Sequence, residues 1–153
     1  MHSIEQRLQQ LDIELPQPSR PAGAYMPVIK CNGLLFVSGQ FPVLNGQLRF
    51  QGQVGNEQDM ESACHAAELA ALNVLAHIRQ ATNNWQQFDS LIRLEGHIAS
   101  TSDWHQQPKV LDAASQLFNQ VLGKQGRHSR TAFAPSHLPL NATLELVVIA
   151  AVY

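Results

Sequence analysis

Residues 126–153 read "GRHSRTAFAPSHLPLNATLELVVIAAVY". Two β-rich runs flank a turn that carries Leu138-Pro139. In the second run Leu144, Leu146, Val148, Ala150 and Val152 share one parity, and Val147, Ile149 and Ala151 share the other. Successive strand side chains point to opposite faces, so both faces of this strand require cover. Two charges interrupt the pattern. Arg130 stands inside the first run, and Glu145 lies on the parity of Val147 and Ile149. A charge in a sheet core is costly unless it is paired or used.

The rest of the chain supplies the layer for one face. "NEQDMESACHAAELAALNVLAHIRQAT" places Ala63, Ala67, Ala70, Ala71, Val74, Leu75 and Ile78 on one helical stripe. Its small residues allow close approach to a sheet. Asn56 is the expected N-cap, and Glu57, Asp59 and Glu61 suit the positive end of the helix dipole. A second helix is expected over roughly Lys109 to Leu122, closed by Gly123. Upstream, "MPVIKCNGLLFVSGQFPV" is a hairpin about Asn32-Gly33, since a type I′ turn needs positive φ at both central residues. "LNGQL" repeats the device at Asn45-Gly46, and "QLRFQGQV" is read as a third strand. "FDSLIRLEGHIAST" is another strand. The N-terminal "SIEQRLQQLDIEL" is a short amphipathic helix capped by Ser3. "PQPSRPAG", with three prolines and a glycine in eight residues, is an arm that neither helix nor sheet interior accepts.

The order is therefore β-β-β-α-β-α-β-β after a short helix. It predicts an α+β fold, a two-layer mixed β-sheet with two helices on one face. The division is an arm over residues 1–24 and a single domain over 25–153. Two helices leave the other sheet face bare, and a further copy of the same sheet would cover it. A homo-oligomer is expected on that ground.

Composition narrows the class. The chain has 153 residues, 44% hydrophobic and 14% charged, with a formal net charge of −2. The ten Lys and Arg form no run, so nothing suggests a nucleic-acid surface. No apolar stretch suits a membrane span, and the N-terminus lacks the apolar core of a secretory signal. A cytoplasmic location is the expectation. Cys31 and Cys64 make no CxxC pair and are read as buried thiols.

Familiar catalytic patterns are missing. The seven histidines form no HxH, HExxH or HxxxH pair. There is no GxSxG elbow and no phosphate-binding glycine loop. Arg130 and Glu145 remain. In "HSRTAFA", Arg130, Ala132 and Ala134 share a face, and the alanines leave room beside a guanidinium that can grip a carboxylate bidentately. Burial of Glu145 would raise its pKa toward values useful for proton transfer. On the residues alone, a structural ion pair and a functional pair both stay open.

"SRTAFAPSHLPLNATLEL" resembles the signature of the Rid family, also called YjgF or L-PSP (reactive intermediate deaminase). There an arginine is followed eight residues on by Leu-Pro, and the proline six residues on by a glutamate. Arg130, Leu138-Pro139 and Glu145 keep this spacing. "LLFVSGQFPV" is similar to the family's Ser-Gly-Gln-x-Pro strand end, and "AAELAALNVLAHI" to its long helix with an asparagine, here Asn73. The likeness runs from about Tyr25 to Tyr153.

The resemblance implies a chorismate-mutase-like fold and a homotrimer with pockets at subunit interfaces. It implies cofactor-independent hydrolysis of enamines or imines derived from amino acids, giving 2-oxo acids and ammonia. By position, Arg130 matches the arginine that grips the substrate carboxylate and Glu145 the glutamate that activates water. Gly39 matches a pocket glycine, Tyr25 an aromatic at the lip, and Ser38 precedes the glycine in the same motif. Asp112 falls where many members have asparagine. Ala132 replaces a cysteine whose backbone carbonyl serves the site. "AYMPVI" stands where the family usually has Tyr-Ser-Gln, so the pocket rim differs, and "GRHSR" and "LPLNATLEL", with the N-terminal helix and arm, look more like a divergent branch labelled endoribonuclease-like or chorismate-mutase-like. Two alternatives to a deaminase follow: a non-catalytic trimer that binds a small carboxylate or a protein partner, and a ribonuclease. The low net charge and absence of a basic run disfavour the ribonuclease.

Overall fold

A computed structural model describes Met1–Tyr153. The elements run α1 (Ser3–Gln10), β1 (Val28–Cys31), β2 (Leu34–Gln40), β3 (Val43–Leu44), β4 (Gln47–Leu48), α2 (Met60–Ala81), β5 (Phe88–Ile98), α3 (Gln107–Leu122), β6 (Ser129–Phe133) and β7 (Leu144–Val152). The main sheet has the order β1-β2-β7-β5-β6. β7 lies between β2 and β5, antiparallel to both, and β6 is an edge strand parallel to β5. The fold is α+β, with α2 and α3 packed together on one face of a mixed sheet.

The alternation in β7 decides this arrangement. Leu144, Leu146, Val148, Ala150 and Val152 are buried, whereas Glu145, Val147, Ile149 and Ala151 are only half-buried. The buried set joins Leu35, Val37, Leu91 and Leu94 in one core with α2 and α3. All seven residues of the α2 stripe are fully buried. The opposite sheet face carries apolar residues without cover: Ile29 is 50% exposed and Phe36 42%. The register stacks Ile29, Phe36 and Ile149 in one row across β1, β2 and β7.

Both Asn-Gly turns form as expected. Asn32 and Gly33 have φ of 50° and 76°, and Asn45 and Gly46 have φ of 53° and 76°. The third strand differs. A two-stranded sheet of β3 and β4 closes around Asn45-Gly46, and the segment after it is not a strand of the main sheet. Gly52 and Gly55, at φ of 93° and 96°, bend this segment out of extended geometry. It then follows the β7 side instead, with Thr143 N–H donating to Phe50 O at 3.2 Å.

Three local expectations are corrected. The cap of α2 is Asp59, not Asn56, because residues 53–58 close a turn of their own through Gln58 N–H to Gln53 O at 3.0 Å. Asp59 and Ser62 then form a reciprocal capping box. The cap of α1 is His2, whose Nδ1 accepts from Ile4 N–H at 3.2 Å, since Ser3 is already the first helical residue. The cysteines are not buried thiols: Cys31 ends the edge strand β1 and is exposed, and Cys64 is half-buried on α2. α1 buries Ile4 and Leu8 in the common core, and Arg7 Nε donates to Val121 O of α3 at 2.7 Å.

Gly96 sets how closely α3 lies on the sheet. A Cβ there would stand 2.5 Å from Leu111 Cδ1 and 2.9 Å from Cδ2. Overpacking of this kind costs about 1–3 kcal/mol. Gly96→Ala should lower unfolding free energy in urea by that amount, and adding Leu111→Val should recover part of it. Independent, additive effects of the two changes would contradict this account of the contact.

Candidate functional site

The residues singled out by the sequence fall into two clusters on opposite faces of the sheet. Glu145 lies on the open face. Its cross-strand partner in the β5–β7 register is His97. On the other side, the β2–β7 register shifts between Val37 and Gln40, and Gly39 comes against the Glu145 side chain. A Cβ on Gly39 would lie 2.8 Å from Glu145 Cδ and would overlap its Oε1. With any larger residue here the carboxylate would have to move from this position.

Burial lifts the Glu145 carboxyl above its ordinary range, and the neighbouring His97 works against that lift. None of the four ion pairs in the chain uses Glu145. His97 stacks on Phe133 at 4.8 Å between ring centres and 13° between planes. Its Nε2 stands 3.7 Å from Glu95 Oε2, and Glu95 Oε1 accepts from Arg93 Nε at 3.2 Å. A string of polar groups thus crosses an otherwise apolar face.

Gly39 also lines a cleft of about 490 Å³ between the proline-rich arm and the end of β2. Tyr25 is part of the same wall. Its hydroxyl accepts from Ala22 N–H at 3.1 Å, which fixes the ring against the arm. Ser38 Oγ is not free: it donates to Met26 O at 2.7 Å. The arm is fastened through Ser19, whose hydroxyl lies 3.1 Å from Gln40 Oε1 and 3.3 Å from His77 Nε2. Burial holds His77 below its ordinary pKa, so it stays neutral. Asn73 donates to the carbonyls of Phe41 at 3.1 Å and Val43 at 2.8 Å, fixing the exit from β2.

Arg130 lies on the helix face. Its register partner is Leu94, a core residue, and Ala132 pairs with Gly96. Position on the edge strand lets the long side chain run along α3. Nη1 meets Asp112 Oδ1 at 2.7 Å and Ser115 Oγ at 3.1 Å, and Nη2 donates to Pro108 O at 3.2 Å. Pro108, Asp112 and Ser115 are spaced four and three residues apart, so they follow one helix face. Ser115 in turn contacts His128 Nε2 at 2.9 Å, and His128 Nδ1 contacts Gly126 O at 2.6 Å. A carbonyl only accepts, so Nδ1 carries the hydrogen and Nε2 is left to accept from Ser115. The three contacts occupy Nη1 and one hydrogen of Nη2. Nε makes no hydrogen bond or ion pair within the chain, which leaves it a free donor.

Arg130 therefore pairs with Asp112 and not with Glu145. One chain brings Tyr25, Ser38, Gly39 and Glu145 to one region and Asp112, Arg130 and Ala132 to another. Within one chain Arg130, opposite Leu94, and Glu145, opposite His97, lie on opposite faces of the sheet. His97, Ser115 and His128 join the two clusters without a sign in the sequence that they would. The shared parity of Glu145 with the open face was readable, but its pairing with His97 was not.

No three metal-ligating side chains converge anywhere in the chain. Cys64 is a poor nucleophile, since burial and then the Glu68 and Asp112 carboxylates push its thiol pKa up. No helix is long and apolar enough to cross a membrane.

The family described as "YjgF/chorismate_mutase-like, putative endoribonuclease" matches residues 5–152. The chain belongs to this family. Protein TCP17 of Trypanosoma cruzi is 30% identical over 145 residues, 94% of this chain and 90% of that protein. The solved structure of Atu1372 from Agrobacterium tumefaciens, a protein of unknown function, is 38% identical with a TM-score of 0.90, covering 98% of this chain and 92% of that one. A Shewanella oneidensis structure, described as an endoribonuclease by assignment only, is 34% identical with a TM-score of 0.94, covering 98% and 99%. Escherichia coli TdcF, solved with bound serine, shares the fold at 21% identity and a TM-score of 0.63, covering 90% and 93%. The YjgF match takes in α1 and the arm as well as the motif-bearing strands.

The burial of Glu145 has a measurable consequence. A carboxyl with a raised folded-state pKa adds stability at low pH, and that stability is lost as pH rises through the folded pKa. Glu145→Gln removes the titration. Relative to wild type, its thermal midpoint should rise as pH goes from about 4 to about 8. A midpoint difference that stays flat or falls over that window would contradict the burial of a titrating carboxyl.

Proposed function

We propose that the protein hydrolyses enamine or imine intermediates derived from amino acids to 2-oxo acids and ammonia, in pockets between the subunits of a homotrimer. The observation that carries this reading is the state of Arg130. Its guanidinium is fixed along α3 by Nη1 and Nη2, and its Nε is unbonded. A rigid fork with Nε as a free donor suits the planar carboxylate of such a substrate.

Glu145 supplies the acid/base function. A carboxyl with a raised pKa can take a proton from water and return it within one cycle. Water oxygen bonds to the imine carbon as the glutamate accepts its proton. The resulting carbinolamine receives that proton on nitrogen; as the C–N bond breaks, its hydroxyl passes its proton to the glutamate and becomes the C=O, and ammonia and the 2-oxo acid leave. The missing side chain of Gly39 is what lets the carboxyl sit there. Arg130 and Glu145 meet only across a subunit boundary. Association is supported by the uncovered apolar face around Ile29, Phe36 and Ile149. Two further copies would cover it.

A second reading, a trimer that binds a small carboxylate without chemistry, is favoured by one observation. Asp112 already neutralises part of the Arg130 charge. RNA cleavage, which the family description names, ranks lower because the chain has a net charge of −2 and no basic run.

Arg130→Ala should abolish accelerated hydrolysis of 2-aminoacrylate while the oligomer survives. Glu145→Gln should lower the rate by about 10²–10⁴-fold. Undiminished turnover in the Arg130 variant would overturn the grip. Binding of 2-oxo acids by calorimetry, with no turnover across an imine panel, would favour the second reading.

A further inference from the structure

We infer that Asp112 makes the Arg130 site selective for a zwitterion, a carboxylate next to a cationic nitrogen, over a simple carboxylate anion. This rests on the carboxylate grip proposed above.

Asp112 Oδ1 lies 2.7 Å from Arg130 Nη1, and no other acidic side chain pairs with this guanidinium. The pair is close to neutral before any ligand arrives. A monoanion at Nε would place two carboxylates around one guanidinium, leaving a net negative charge. A ligand that carries its own cation leaves the site balanced. Like charges in this range repel at a surface, and a half-exposed carboxylate such as Asp112 is weakened by solvent but not silenced.

The geometry keeps Asp112 from being displaced. It is one of three acceptors along α3, with Pro108 O and Ser115 Oγ on either side. An incoming carboxylate finds Nε a free donor and meets no need to break the Asp112 contact. Asp112 therefore acts through Arg130 and through its field, and need not touch the ligand.

The same charge logic gives direction to the reaction. An iminium acid, R₂C=NH₂⁺ with its carboxylate, reacts with H₂O to give R₂C=O and NH₄⁺. The C=N bond breaks, a C=O bond forms, and the cation departs with the nitrogen. The 2-oxo acid left behind is the plain anion that Asp112 disfavours. The substrate is retained and the product is released by the same aspartate.

L-Alanine and pyruvate separate the two classes on one carbon skeleton. Calorimetry on the intact assembly should show wild type binding alanine more tightly than pyruvate, with both lost in Arg130→Ala. Asp112→Asn keeps an oxygen for Arg130 and removes only the charge. It should move the pyruvate-to-alanine affinity ratio about fivefold toward pyruvate. A ratio that stays fixed or moves toward alanine, with both ligands still dependent on Arg130, overturns the inference and leaves the carboxylate grip standing. Binding of neither ligand by wild type overturns the grip, and this inference with it. Salt gives a second measure that needs no variant. Raising ionic strength from about 0.05 M to about 0.5 M should narrow the wild-type preference for alanine. An unchanged preference counts against a charge origin.

Discussion

The guanidinium of Arg130 needs acceptors once it leaves open water, and α3 provides them in a row. Pro108 O, Asp112 and Ser115 hold two of its three nitrogens. That clasp depends on where α3 lies. α3 lies close to the sheet because Gly96 admits Leu111, and the sheet faces α3 because β7 and β5 bury one parity of their side chains there. The position of the fork thus descends from the alternation of apolar residues in the last strand.

Glu145 obeys the opposite constraint. It stands on the parity of β7 that the helices do not cover, half-buried and without an ion pair in its own chain. Its nearest allowances are the missing side chain of Gly39 and the ring of His97. A carboxyl in this setting holds its proton more firmly than an exposed one, which is what acid/base work requires. The sheet separates it from Arg130 in one subunit. In the proposed trimer, association on the apolar face beside it would complete the site.

Much of this was legible in the sequence for a physical reason. Period-two and period-3.6 patterns report burial directly, so β7, α2 and the two Asn-Gly hairpins were readable from Leu144–Val152, Ala63–Ile78, Asn32-Gly33 and Asn45-Gly46. Arg130 and Glu145 stood out because each broke such a pattern. What was not readable was set by contacts distant in sequence. The partner of Arg130 lies on a helix eighteen residues upstream; the resemblance singled out Asp112, but no local pattern joins it to Arg130. The expected strand over "QLRFQGQV" failed because Gly52 and Gly55 take positive φ, which their identity permits but does not compel. Caps slipped by one to three residues, as at Asp59 and His2, where a neighbouring acceptor was better placed. Cys31 was expected inside because thiols usually are, yet it ends an edge strand.

In the proposed trimer Arg130 offers Nε to the substrate carboxylate, within reach of Glu145 from another subunit. A crystal structure of the assembled protein soaked with a 2-oxo acid tests it most directly. The account predicts the ligand carboxylate against Arg130 Nε, the Asp112 contact retained, and a second copy's glutamate facing the ligand's carbonyl carbon. A ligand seated instead in the cleft beneath the proline-rich arm, with Arg130 unoccupied, would contradict it.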